Sequence, residues 1–292
     1  MARMERSLWR NKEYYVHIMS YTAGRQKLLH PKAREKLYQV IEKYSRLFFV
    51  EVIGVCIMDN HFHLLVKMKK DENYSNEEII RRLIEHYGEE KYKEKYSHKP
   101  MEYFRNWLSS ISEYVKMIKQ TYSVWYNKTH NRIGTLWGDR FKSAMIGEGS
   151  GLLVCMSYID MNPVRKGWLK NPGEYRWSRY GRFLRNPSGI EDGIYTYEGT
   201  GMKNILEYSE FLDYYGRQDR SFQGKKGKVE GKTSLRDLLL EKLLTRGVAI
   251  GSKEFIGKSY LFHQGNKGLT KKERTPHPTG IEGLYSLRNI KL

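Results

Sequence analysis

The stretch that decides the fold is VEVIGVCIMDNHFHLLVKM, Val50 to Met68. It is two apolar runs joined by the short polar step Asp59-Asn60, and it reads as two strands, about Phe49–Met58 and His61–Met68, in a tight hairpin. A strand sends alternate side chains to opposite faces. His61 and His63 therefore share one face, and Phe62 enters the other layer. Two imidazoles a strand pitch apart can hold one divalent metal, and a metal on a rigid sheet can polarise a phosphate oxygen. A pair of surface histidines is the plainer alternative for His-x-His alone.

Upstream, Tyr14 to Tyr21 reads as a first strand, followed by a Thr-Ala-Gly-Arg turn. Pro31 is placed to open a helix whose apolar stripe is Leu37, Val40, Ile41, Tyr44 and Leu47 or Phe48. Strand, helix, strand, strand is the opening of a ferredoxin-like split βαβ layer, so the fold class expected is α+β with an antiparallel sheet. Lys69 to Pro100 is a charged insertion with one helix near Glu77–Tyr87. From Phe104 to Trp125 a 3.6-residue period holds for about six turns and predicts one long helix. Leu136 to Ile146 reads as a fourth strand with Arg140 and Lys142 on one face. A short helix through Met161 follows, limited by Pro163.

The pattern divides the chain into a first domain over 1–185, with a helical insertion at 69–128, a loop and linker region over 186–233, and a C-terminal helical extension over 234–292. The linker carries the basic, glycine-rich Ser221–Thr233. The extension is expected as helices over Ser234–Leu244 and Ser252–Leu261 around a Gly247–Gly251 turn. That arrangement is compatible with a DNA-reading helix-turn-helix or with a packing hairpin.

Composition points to partners. The chain has 292 residues, 52 Lys plus Arg against 33 Asp plus Glu, and a net charge of +19. Cations in that excess displace condensed counterions along a phosphate backbone. The 23 Tyr and 6 Trp are stacking platforms for unpaired bases as well as core residues, which favours single-stranded or hairpin nucleic acid. Cys56 and Cys155, the two cysteines, lie in apolar surroundings and are expected reduced and buried. The longest apolar stretch, Leu47–Met58, is too short to span a membrane and contains Glu51. No membrane role and a cytoplasmic, nucleoid-associated location are expected.

A second constellation lies about a hundred residues beyond the histidines. Tyr158 and Asn162 are four apart, on one helical face. If that face meets the histidines, His61, His63 and Asn162 supply two nitrogen and one oxygen ligands for Mg²⁺ or Mn²⁺, and Tyr158 is a nucleophile. A phenol ionises only near pH ~10 unless a base or cation assists. Once formed, a phosphotyrosine keeps an activated phosphodiester that a 3′-hydroxyl can attack in reverse. A packed tyrosine and a helix-terminating asparagine remain open alternatives on the residues alone.

Three blocks in order, Met58-Asp-Asn-His-Phe-His-Leu-Leu65, Asn131-Arg-Ile-Gly-Thr-Leu-Trp-Gly-Asp-Arg-Phe-Lys-Ser143 and Tyr158-Ile-Asp-Met-Asn-Pro-Val-Arg-Lys-Gly167, together with Tyr175-Arg-Trp-Ser178, resemble single-tyrosine HUH transposases, in particular the REP-associated tyrosine transposase-like proteins (IS200-like transposase domain). The resemblance covers residues about 14 to 183. It implies a compact antiparallel sheet with helices on one side, metal ligands at His61 and His63, a nucleophile at Tyr158, and the completing polar ligand at Asn162. It also implies a 5′-phosphotyrosine intermediate on single-stranded DNA beside a hairpin, in a monomer or homodimer. Asp59, where many relatives carry proline, is a departure expected to alter a turn and not a ligand.

Arg140, Lys142, Arg132 in the basic turn Asn127–Gly134, and Arg165 beyond the tyrosine are the expected DNA contacts. Trp137 is expected in the core, His17 as a structural histidine whose strand parity brings it near the metal, and His130 as a phosphate contact or a solvated side chain. Two rival functions share this fold: a non-catalytic nucleic-acid-binding module, and a phosphodiesterase that uses water.

Overall fold

The computed structural model describes residues 12–186, 206–213, 243–244, 249–256, 277–279 and 283–286. Its frame is an α+β sheet of seven strands: β1 (Tyr14–Tyr21), β2 (Val50–Ile57), β3 (His61–Met68), β4 (Lys142–Ile146), β5 (Ala249–Gly251), β6 (His277–Pro278) and β7 (Tyr285–Ser286). Their order is β2-β3-β1-β4-β5-β7-β6. Pairing is antiparallel except between β4 and β5. The hairpin and the first strand thus form as the sequence predicts.

Every residue of β3 is buried, which requires a layer on each side of the sheet. On one side Phe62, Leu64, Val66, Val16 and Ile18 meet α1 (Pro31–Leu47) and α5 (Ile111–Thr129). On the other, Leu65, Tyr15, Cys56, Ala144 and Ile146 meet α6 (Ser150–Asp160). Helices therefore cover both faces, where a single covered side was expected. The physical reason is α6 itself. It is buried nearly all round, so it fits only between the sheet and a further cover, which Tyr208, Leu212, Leu243 and Leu244 help to supply.

The insertion contains α2 (Asn76–Tyr87) and also α3 (Glu89–Lys95). The long helix predicted from Phe104 to Trp125 is two, α4 (Met101–Leu108) and α5, broken at Ser109-Ser110. Ser110 caps α5 by accepting from the Glu113 N–H at 3.3 Å. A Ser-x-x-Glu signature therefore overrides an uninterrupted apolar period. The fourth strand is shorter than predicted. It starts at Lys142, and Trp137 makes only a lone bridge to Thr22.

The expected turn at Gly247–Gly251 is also corrected, because Ala249–Gly251 is β5. The two facing glycines allow this close docking: a Cβ on Gly147 would lie 2.8 Å from the Phe255 ring and 3.2 Å from the Gly251 Cα. Residues 243–244 and 253–256 are helical, and the strand β5 lies between them. Most of the predicted helices and the linker Ser221–Thr233 lie outside the described residues. The described part of the extension is thus strand as well as helix. Beyond β4, α7 (Asn162–Arg165) and α8 (Arg179–Arg185) complete the numbered helices.

Replacing Ser110 by Ala removes the α5 cap and is expected to cost about 1 kcal/mol. A urea unfolding midpoint unchanged by Ser110→Ala would show that the cap is not what separates α4 from α5.

Candidate active site

β3 places the histidine pair, and its neighbours place the strand. His61 lies opposite Tyr21 of β1; His63 lies opposite Met19 of β1 and Cys56 of β2. The two imidazoles share the α6 side of the sheet, with ring centres 4.9 Å apart and planes nearly perpendicular. Phe62 points the other way and packs edge-on against Trp137, ring centres 5.4 Å apart. Trp137 is therefore core, as expected.

The turn before β3 does more than reverse the chain. Asn60 donates from Nδ2 to the Arg25 carbonyl at 3.0 Å, and its Oδ1 lies 2.7 Å from His61 Nδ1. An amide oxygen only accepts, so His61 carries its proton on Nδ1 and its Nε2 has a free lone pair. His63 Nδ1 lies 3.0 Å from Nε2 of His17, and the buried His63 Nε2 has no hydrogen-bond partner among the described residues.

All three rings are buried at 5% exposure or less. Burial pushes His61 down to about 3, helped by the nearby charges of Lys166 and Arg25. Burial also lowers His17 to about 4, against a small opposing effect of the Leu244 carbonyl. His63 is driven well down by burial, then by His61, His17 and Arg165. Each ring is neutral at pH 7, the form that binds a metal.

From the opposite layer α6 brings Tyr158, whose ring meets His63 edge-on at 5.5 Å between centres. Asn162 follows across a single non-helical step at Met161, itself in the αR region, so the path stays helical. Its Nδ2 donates back to the Tyr158 carbonyl at 2.9 Å, which leaves the carboxamide Oδ1 as the ligand-capable atom. Arg165 sits over the Tyr158 ring, 4.2 Å from its centre, and donates to the Tyr158 carbonyl. Among the described residues, no three His, Cys, Asp or Glu side chains gather as a metal-holding group. A cation here would depend on the two imidazoles and the Asn162 carboxamide.

The expected DNA contacts fall into two groups. Arg165 is part of the site. Lys142 is exposed on the same sheet face as His63, since Met19 pairs with both; two strand spacings put it about 10 Å from His63. Arg140 is exposed but precedes β4, so it does not share a strand face with Lys142. Arg132 lies in a loop fixed by its own N–H to the Asn127 carbonyl at 3.0 Å. Farther along, that loop docks at the histidine end of the sheet, where Gly138 N–H donates to the Tyr21 carbonyl at 3.0 Å.

The sequence does not single out Arg25 or Lys166, which both act on His61 electrostatically. Arg25 also covers the Tyr21 ring, 4.7 Å from its centre, and Tyr21 in turn packs on His61 at 4.8 Å. Their signals were available: Arg25 closes the turn after β1, and Lys166 belongs to the tyrosine block. His130 stacks on Tyr126 and faces His30 at 2.8 Å, so it is neither isolated nor in the site.

Residues 10–108 match the family described as Transposase IS200 like, which bears out the resemblance seen in the sequence. That stretch contains His61 and His63 and ends before Tyr158. A solved structure described as "Structure of the REP associates tyrosine transposase bound to a REP hairpin" is similar at 16% identity, over 70% of this chain and 99% of that one, with a TM-score of 0.43. A crystal structure of a candidate transposase from Deinococcus radiodurans R1 is similar at 12% identity, over 51% and 88%, with a TM-score of 0.29. Among curated proteins none matches the chain. No helix of the described residues is long and apolar enough to cross a membrane.

The buried neutral histidines set a pH dependence. From about pH 6.5 down to about 3, the unfolded chain takes up a proton at position 61 that the folded chain refuses, so stability falls as pH drops through that window. Near pH 5, His61→Gln is expected to flatten the slope of unfolding free energy by about 1.4 kcal/mol per pH unit. Urea midpoints measured across that range check this; an unchanged slope would mean His61 already carries its charge in the fold.

Proposed function

We propose that this protein is a metal-dependent transposase that cuts and rejoins single-stranded DNA beside a hairpin through a 5′-phosphotyrosine intermediate. The observation that carries the reading is the edge-on contact of Tyr158 with His63, whose ring lies 4.9 Å from that of His61. The family match over residues 10–108 supports a transposase; the finer chemistry is argued from the side chains.

The donor set fits a divalent cation. His63 Nε2 is a buried lone pair with no partner, a state that costs about 1–3 kcal/mol if nothing occupies it. With His61 Nε2 and the Asn162 carboxamide oxygen it makes a mixed nitrogen and oxygen set suited to Mg²⁺ or Mn²⁺ with positions left open. When bound, such an ion supplies Lewis-acid polarisation of a phosphate oxygen.

The residues divide the remaining work. The Tyr158 oxygen forms the new bond to phosphorus, and the bond from phosphorus to the 3′-oxygen breaks. The phenolic proton leaves to solvent, and the 3′-oxygen departs as a hydroxyl after taking one up. The DNA 5′-phosphate is then held on tyrosine. Attack by another 3′-hydroxyl reverses the same bond changes and restores Tyr158. Arg165, over the ring, offsets negative charge on the phenol or the phosphate. Arg25, Lys166 and Lys142, with Arg132 and Arg140 farther out, track the backbone of the strand. Tyr158 lies against His63 of its own chain, which favours a tyrosine acting in cis whether the protein is a monomer or a homodimer. The substrate would be chromosomal DNA in the cytoplasm.

With labelled hairpin oligonucleotides and Mn²⁺, a covalent protein–DNA band is expected on denaturing gels. Tyr158→Phe and chelator should abolish it, and His63→Ala should reduce its rate on the order of 100-fold or more. A band that persists in Tyr158→Phe defeats the assignment. Cleavage without any adduct would indicate water as nucleophile, and chelator-insensitive binding without cleavage would indicate a binding module.

A further inference from the structure

We infer that His17 is a positioning residue of this site: it fixes which nitrogen of His63 is bare, and it does so through a carbonyl of the C-terminal region. The inference rests on the reading of His61 and His63 as metal ligands. It concerns a histidine on a different strand, joined to them by a chain of hydrogen bonds.

The chain begins at Leu244. Its carbonyl lies 3.3 Å from His17 Nδ1, and a carbonyl can only accept, so Nδ1 carries a proton. His17 is wholly buried, where an unpaired imidazolium is strongly disfavoured, so it has one proton and its Nε2 is a lone pair. That lone pair faces His63 Nδ1 at 3.0 Å. His63 must therefore donate from Nδ1, and since it too is buried where a second proton would leave an unpaired charge, its Nε2 has no proton. This atom is the buried, unpartnered one. Reversing either ring would leave a proton facing a proton or place an N–H at Nε2, where a cation could not bind.

Register explains why this partner is available. His17 is opposite Leu65, so it is the diagonal neighbour of His63 on the same sheet face. The rings stack with centres 5.2 Å apart and planes 22° from parallel. Any buried histidine needs partners for its ring nitrogens, so the informative feature is the order in which they are used. Here both nitrogens are engaged, in the one order that exposes the His63 lone pair. His61 is set in the same tautomer by an independent device, Asn60. Two unlike groups thus impose one outcome on His61 and His63, as outer partners of metal-bound histidines do. Leu244 is 227 residues from His17 in sequence, so the C-terminal region contributes an atom to the arrangement of the site.

The test uses the full chain without metal and then with Mn²⁺. Nitrogen chemical shifts of His63 in the metal-free protein are expected to report Nδ1–H and a bare Nε2; an Nε2–H form overturns the inference. His17→Phe keeps an aromatic ring but neither nitrogen, and should mix the two tautomers and weaken Mn²⁺ binding about 10–100-fold. His17→Gln retains an acceptor for His63 and a donor for Leu244, and should bind Mn²⁺ more tightly than His17→Phe. Equal affinity of His17→Phe and the unmodified protein, or an equal loss in both variants, would refute the role of His17. No Mn²⁺ binding by the unmodified protein would remove the metal reading itself, and this role with it. Because the nitrogen shifts are read on the unmodified chain, a variant that fails to fold does not protect the inference.

Discussion

The structure turns on one constraint of strand geometry, that three successive side chains of β3 must point in alternate directions. Phe62 is fully buried between the sheet and Trp137, and an aromatic held this way resists rotation of the strand. A one-residue slip would carry Phe62 into the α6 layer and both histidines into the α1–α5 core. Truncating such a residue costs about 3–5 kcal/mol, more than any single polar contact in the site contributes. The hydrophobic layer on one side of the sheet therefore fixes where the imidazoles stand on the other. The pairs from β1 and β2 then fix their height along the strand.

The same burial decides the chemistry. An imidazolium removed from water loses much of its solvation, so desolvation leads the downward shift of His17, His61 and His63. The nearby cations Arg25, Arg165 and Lys166 act in the same direction. Three neutral rings in one place are a poor choice for stability alone, since apolar side chains would fill the space without the unpaired nitrogen. Polar groups that break the local packing rule in this way concentrate at functional sites. The basic residues have a second consequence: with the histidines uncharged, the field around the site is that of the guanidinium and ammonium groups. That field is positive without any charge on the imidazoles themselves.

Much of this was legible in the sequence, for reasons that differ by element. The first strand, α1 and the β2–β3 hairpin were clear because apolar period, turn residues and a helix-opening proline agree over Tyr14–Met68. The spacing of Tyr158 and Asn162 was clear because four residues subtend one helical turn. The α4–α5 break was hidden by an apolar period that continues across it, although Ser110 and Glu113 mark the new helix. The second helical layer was hidden because α6 has no polar face to reveal an orientation. β5, β6 and β7 are three residues long or shorter, too short for a period, and take their conformation from neighbouring strands. Parity alone put His17 on the correct face, but only the register of β1 against β3 shows that its nitrogen meets His63.

The layer that carries Tyr158 depends on segments far along the chain. Tyr158 and the histidines belong to opposite layers, and the match to transposases over 10–108 covers only the histidine side. What aligns the layers is the packing of α6, and α6 is apolar on nearly every side. Leu65, Cys56 and Ala144 pack in its cluster from the sheet, and Tyr208, Leu212, Leu243 and Leu244 join the same cluster from the later part of the chain, Leu244 also reaching the sheet at His17. Asp160, two residues from both Tyr158 and Asn162 and so off their shared face, accepts from the Tyr208 hydroxyl at 2.8 Å. Segments well beyond the tyrosine block thus hold the tyrosine helix against the sheet. A chain reduced to its motif-bearing residues would keep every reactive group yet expose the outer surface of α6 to water. The phenol and the imidazoles would then lose the packing that brings their rings into contact.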